Sequence, residues 1–295
     1  MDIKIKNMNN HIKGILCIIA AAAGFSFMTF FVRISGDLPT MQKVFFRNAV
    51  ALVIAVITLI LSGESFRIEK RNRMDIFMRC LFGTSGVICN FYAIDRLDLS
   101  DANMLNKLSP FFAIIMSIPI LKEKPSKTDV GATIIAFIGA LFIIRPTGTN
   151  LQLIPALAGL YGGFGAGLAY VFVRKLGKKG ERTPIIVMCF SLFSCLVALP
   201  FLIIDCHPME PKQLLCLVMA GVSAAVGQFG ITSAYKFAPA KDISVFDYTQ
   251  VIFAALLGIL FLNEIPVLFS IIGYVIIIGV AVFRWHIARK GSQAS

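Results

Sequence analysis

Along this chain, polar positions gather into short runs and apolar positions into ten long ones. The apolar stretches cover residues 14–32, 40–61, 74–94, 102–121, 129–144, 154–174, 184–204, 212–235, 243–262 and 267–284. A helix needs about 20 apolar residues to cross roughly 30 Å of hydrocarbon. Each stretch is therefore predicted to be a membrane-spanning helix, and the expected class is all-α and integral to the membrane. The fifth is short and the second and eighth are long, differences that helix tilt absorbs.

The ten stretches form two copies of a five-stretch unit. Phe31-Val32-Arg33, at the end of the first, returns as Phe172-Val173-Arg174 at the end of the sixth. Leu121-Lys122-Glu123-Lys124-Pro125 returns as Leu262-Asn263-Glu264-Ile265-Pro266. Both landmarks move by one offset of 141 residues (33 to 174, 123 to 264). The halves divide as residues 1–147 and 148–295. A unit with an odd number of spans re-enters the membrane upside down when duplicated. Inverted repeats of this kind mark alternating-access transporters, whose substrate site lies near the midplane between the halves.

Composition agrees with the membrane class: 57% of residues are hydrophobic, 15% are charged, and the mean hydropathy is +0.82. The net charge of +12 is not a nucleic-acid signal, because Lys and Arg sit in short clusters between apolar spans with no contiguous basic face. Placing the N-terminus in the cytoplasm puts twenty of the 28 basic residues in inside segments and five outside, leaving Arg47, Arg79 and Lys107 within spans. The positive-inside rule then predicts that both termini are cytoplasmic. The seven cysteines form no C-x-x-C pair and read as small apolar packing residues. No cleavable signal peptide is evident, since the first ten residues are polar and the next stretch is long enough to remain as a membrane helix.

The chain resembles an EamA-type member of the drug/metabolite transporter superfamily. The resemblance covers essentially all of it and is most recognisable from Phe91-Tyr92-Ala93-Ile94 through Leu121-Lys122-Glu123, with Ser109-Pro110 partway along the second helix of the pair. The second copy, Ala234-Tyr235-Lys236 through Leu262-Asn263-Glu264, has Gln250-Val251 in place of Ser-Pro. This resemblance implies a basket of ten helices around a central cavity, a bacterial inner-membrane location and metabolite traffic. It does not choose a substrate.

Ionisable groups at the centre of a membrane helix cost at least about 2.5–3.5 kcal/mol, so they face a cavity or each other. Asp247 is the strongest candidate, because a short carboxylate cannot snorkel. Its repeat mate is Asn106, beside Lys107, which places Asn106-Lys107 and Asp247-Tyr248 at symmetry-related positions. A structural pair holding the halves together is the alternative. Asn103, Asn106 and Lys107 share one helical face. Gln250, Asn90, Gln228, Tyr170 and Ser26 are polar groups that can converge on it, and Phe25 supplies apolar surface. Arg79 is expected to snorkel to the headgroups; snorkelling and a cavity role are both open for Arg47 and Lys107. Gly159, Gly163 and Gly167 form a smooth stripe expected to pack closely. Glu123 and Glu264 read as devices that start the following helices.

Gly83-Thr84-Ser85-Gly86 fits the string of intramembrane serine proteases, but the three histidines lie at span ends or in loops and supply no base. No phosphate-binding loop is present, and the pattern calls for no cofactor. The expected function is a secondary carrier of small polar metabolites, and the family resemblance implies export. Amino acids and related zwitterions suit it best, with Lys107 or Arg47 meeting a carboxylate and Asp247 an ammonium or a coupling proton. The expected partners are the small-molecule substrate and the bilayer, with no nucleic acid. The rival readings are a cationic drug or S-adenosylmethionine as substrate, and, more distantly, a channel or a membrane enzyme.

Overall fold

The structure is a computed structural model that describes residues 2–122, 126–144, 152–237 and 244–293, with side chains for all of these except 2–11, 144, 235–237, 244 and 288–293. Among the described residues every regular element is helical. The order is α1 (Asp2–Ile34), α2 (Thr40–Leu61), α3 (Arg73–Ile94), α4 (Leu99–Asn106), α5 (Ser109–Leu121), α6 (Lys127–Ile144), α7 (Leu153–Lys178), α8 (Thr183–Ile204) and α9 (Pro211–Phe237). A 3-10 turn (Ser244–Tyr248) leads into α10 (Thr249–Leu257), which ends in a π turn (Gly258–Leu262), and α11 (Leu268–Gln293) closes the chain. Nine described segments are long and apolar enough to cross a membrane, and α6 is the remaining apolar helix.

The helices pair mainly between halves. α1 packs along α9, α3 along α7, α2 along α8 and α6 along α11. A shift of one repeat turns the first of these contacts into the second and maps each of the last two onto itself, which is the behaviour of a pseudo-twofold axis. Glycines make the close contacts. A Cβ on Gly24 would lie 2.9 Å from the Gly227 backbone nitrogen, and one on Gly165 would lie 2.8 Å from the Gly86 Cα. Gly24 and Gly165 are repeat mates, as are Gly86 and Gly227, so one glycine contact has been written twice. With no hydrophobic drive between helices in lipid, such backbone approach is what holds spans together.

The turns repeat as well. Among the described residues Lys122 and Asn263 are the non-glycine positions with left-handed backbone, at φ 54° and 55°. Each ends the fourth span of its half, and the two stand at the repeat offset. The Glu123 half of the repeated landmark lies outside the described residues.

Polar contacts at the span ends form two layers. One holds Arg33–Glu264, Lys43–Asp95 and the Gln42 side chain with the His207 backbone. The other holds Asp75 with Lys175 and Lys179, Asn72 with Glu181, and Arg284 with Asp129. Each contact joins span ends that alternating spans bring to the same side. The lipid-facing surface is apolar, with Ile60, Leu196, Ile203, Ile252 and Leu260 exposed. The buried polar groups are inside.

The fourth span departs from expectation. The apolar pattern predicts one helix over 102–121, but the span is two helices, broken at Lys107-Leu108. Pro110 is the cause: it lacks an N–H, and its ring conflicts with the carbonyl four residues back, that of Asn106. The repeat mate of Lys107 is Tyr248, where the 3-10 turn passes into α10. Both fourth spans are therefore irregular at the same place.

Candidate functional site

Lys107 ends α4 and Asp247 sits in the 3-10 turn before α10, so the two breaks present opposite charges to each other. The Lys107 ammonium donates to Asp247 Oδ2 at 2.6 Å, and both residues are buried. The second carboxylate oxygen, Oδ1, has no hydrogen-bond partner. Around this pair runs a ring of bonds between the halves. The Ser26 hydroxyl donates to the Gln250 backbone oxygen (2.7 Å), and Gln250 Nε2 donates to Asn103 Oδ1. Asn103 Nδ2 donates to Thr29 Oγ1 (3.2 Å), and Thr29 returns to the Ser26 carbonyl (2.9 Å). α1, α4 and α10 are thus tied at mid-depth by satisfied polar groups, which removes the cost each would carry alone in lipid.

Beside the ring lies a cavity of about 60 Å³ between the two halves, well below the usual size of small-molecule sites. Of the residues expected from sequence, Phe25, Arg47, Asn90, Asn106, Lys107, Tyr170, Gln228 and Gln250 line it. Asp247, Asn103 and Ser26 do not: they hold the lining residues from behind. Tyr248 is buried away from the cavity, and its hydroxyl has no partner.

Arg79 is the main correction. It does not snorkel. It is buried, lines the cavity and holds its guanidinium 4.3 Å from the Phe190 ring centroid. α3 lies along α7, which turns Arg79 inward, and the headgroup end of α3 is already occupied by Asp75 with Lys175 and Lys179. Gly83, one turn further on, leaves room for the side chain, since a Cβ there would lie 2.0 Å from Arg79 Nη1. The sequence signal was that glycine at i+4, together with Phe190, which sequence reasoning passed over.

Arg47 does not snorkel either. Lys43 precedes it by one turn on α2 and is paired with Asp95 at 2.6 Å, which covers the route to the surface. Burial pushes the Asp95 carboxyl above the ordinary carboxylate value, an effect that Lys43 partly offsets. Inside, Arg47 Nη1 donates to Asn48 Oδ1 and Nε reaches Met28 Sδ at 3.4 Å.

One further expectation is changed. Glu264 does not start the next helix. It accepts from Arg33 Nη2 (2.9 Å) and from the Leu99 N–H that opens α4 (2.7 Å), so it latches the second half onto the first. Ser85 of the protease-like string donates to its own helix at the Phe82 oxygen (3.2 Å), and Thr84 meets the Ser194 hydroxyl. The stripe on α7 does pack closely: a Cβ at Gly163 would lie 2.6 Å from the Leu105 oxygen and one at Gly167 2.5 Å from the Ser109 oxygen. These contacts seat α7 on both sides of the break in the fourth span.

Broken fourth spans, an inverted repeat and a polar cavity between the halves define a membrane-transporter architecture. The chain belongs to the EamA-like transporter family, which matches residues 12–145 and 153–284. It is 30% identical to the pseudopaline exporter CntI of Pseudomonas aeruginosa over 94% of this chain and 97% of that one. It is 24% identical to solute carrier family 35 member G1 of Homo sapiens over 94% of this chain and 81% of that one. A crystal structure with 15% sequence identity superposes with a TM-score of 0.69, covering 94% of this chain and 98% of the other, which speaks to the fold alone.

Proposed function

We propose that the chain is a secondary transporter that moves small polar metabolites bearing a carboxylate across a bacterial inner membrane by alternating access, in the export direction, with both termini cytoplasmic. The carrying observation is the cavity between the inverted halves, lined from both and bounded by the Lys107–Asp247 pair at the two helix breaks. Lys107 is neutralised by Asp247, so Arg47 and Arg79 are the groups left to meet a substrate carboxylate. Asn90, Asn106, Gln228 and Gln250 offer neutral hydrogen bonds to the remainder, and Phe25 and Phe190 supply apolar walls. Of amino acids and related zwitterions, those whose carboxylates outnumber their ammonium fit this chemistry, and a proton on Asp247 is the candidate coupling ion. The export direction is supported by the name of the Pseudomonas relative, and the orientation by the basic-residue bias.

The test is counterflow in proteoliposomes containing the purified full chain. Vesicles preloaded with an unlabelled metabolite should accumulate the same labelled compound transiently, as a carrier requires. Flux that ignores the preloaded compound would mean a channel. No protein-dependent flux for any carboxylate-bearing metabolite would overturn the reading.

A further inference from the structure

The charges around the cavity do not balance. Lys107 and Asp247 cancel at 2.6 Å. Asp75 is held by Lys175 and Lys179, and Asp95 by Lys43. That leaves Arg47 and Arg79, both buried and both lining the cavity. Among the described residues neither guanidinium has a carboxylate within ion-pair reach. Arg47 has only the neutral Asn48 oxygen and Met28 sulfur, and Arg79 Nε has no hydrogen-bond partner. Both approach the Phe190 ring, at 5.9 and 4.3 Å from its centroid, so their separation cannot exceed those two distances laid end to end.

Two like charges this close, in a site shielded from water, repel each other and forgo most of their hydration. A protein that keeps such an arrangement has an anion to complete it, because intramembrane charges are retained for function. The pair is not a product of the repeat. The mates of Arg47 and Arg79 are Met188 and Ala220, so both cations were placed in the first half alone. Each guanidinium is a planar fork that matches a carboxylate. A single carboxylate leaves one cation uncompensated, and a zwitterion brings an ammonium that the remaining arginine repels. Two carboxylates on one carbon frame neutralise both.

We infer that this cavity binds a dicarboxylate, one carboxylate on Arg47 and the other on Arg79, with the carbon frame against Phe190. The inference rests on the cavity being the transport site, and it narrows the substrate from carboxylate-bearing metabolites to those with two such groups.

The experiment measures thermal stabilisation of the purified full chain by succinate, glutarate, adipate, alanine, choline and inorganic phosphate, followed by counterflow of whichever compound stabilises. At least one dicarboxylate should raise Tm saturably, while alanine and choline should not. Arg47→Gln and Arg79→Gln should each raise the dicarboxylate Kd at least ~10-fold, as loss of a charge-assisted fork predicts. Removing either arginine should leave the ligand-free Tm unchanged or higher, because it relieves repulsion. A structural arginine would lower it. Gly83→Ala keeps the charge but forces the Arg79 guanidinium to move, and should weaken dicarboxylate binding as well. Stabilisation by alanine, choline or phosphate with none by any dicarboxylate overturns the inference, as does a Kd unchanged in both arginine variants. Alanine counterflow that survives in those variants overturns the inference while leaving the transporter reading intact. Dicarboxylate binding without counterflow of any compound overturns the transporter reading instead.

Discussion

Lys107 and Asp247, 140 positions apart in sequence, meet at 2.6 Å where the fourth span of each half is interrupted. Removing one member leaves the other buried and unpaired, which costs about 3–5 kcal/mol for a buried pair. Asp247→Asn alone is therefore expected to lower the Tm of the purified protein and to reduce flux. The double variant Lys107→Gln, Asp247→Asn can hydrogen-bond as an amide pair and should recover most of the Tm without recovering transport. Recovery of both would make the pair a structural tie between the halves and nothing more.

The glycine seams carry a separate prediction. A Cβ at Gly165 would sit 2.7 Å from the Phe82 oxygen, and one at Gly24 2.9 Å from the Ser223 oxygen. These neighbours are backbone and cannot swing aside. Gly24→Ala and Gly165→Ala should each destabilise by about 1–3 kcal/mol, the usual cost of overpacking. Gly131→Ala, with nothing within 4 Å, should be neutral. Equal melting temperatures for all three would show that the α1–α9 and α3–α7 contacts are looser than described.

Topology is testable with a native residue. Cys206 is exposed between α8 and α9, whereas the other cysteines are buried or partly buried. With cytoplasmic termini this loop faces outward. A membrane-impermeant maleimide should label intact cells expressing the protein and fail to label the Cys206→Ser variant. A cysteine introduced at Gly180 in the Cys206→Ser background should be labelled only after the cells are broken. The reverse pattern would invert the orientation.

The repeat and the spans were legible because both are statements about spacing: apolar runs long enough to cross a bilayer, and landmarks moved by one constant offset. Much of the cavity lining was legible too, since a polar side chain in an apolar helix has few places to go. Arg79 was not. Its fate depends on which face of α3 meets α7 and on the room beside Gly83, and neither is a property of α3 alone. The pairing of Lys107 with Asp247 was legible only as the alternative of a structural tie between the halves, for a related reason. Sequence symmetry matches Asp247 to Asn106, and only the break in the fourth span turns the neighbouring Lys107 toward it. Glu264 was misread because its proximity to the next helix start is sequential, while its partners Arg33 and Leu99 come from the other half.

The break was written in the sequence at Pro110, and it supplies the last prediction. Without an N–H at 110, the backbone closes α4 through Leu108 N–H to the Leu105 oxygen at 3.2 Å, and α5 restarts with Phe111 and Phe112 both donating to the Leu108 oxygen. Lys107 stands at that joint, aimed at Asp247. Pro110→Ala restores the donor and removes the clash with the Asn106 carbonyl, and alanine is about 3 kcal/mol more favourable than proline inside a helix. The fourth span should straighten, carrying Lys107 off its present line. Tm should hold or rise while counterflow falls at least ~10-fold, as expected for a loss of about 1.4 kcal/mol or more at the site. Pro119→Ala, in the same helix but away from the cavity, should leave counterflow near that of the unaltered chain and serves as the control. If Pro110→Ala transports normally, the interruption is a relic of chain packing and the charged pair does not depend on it.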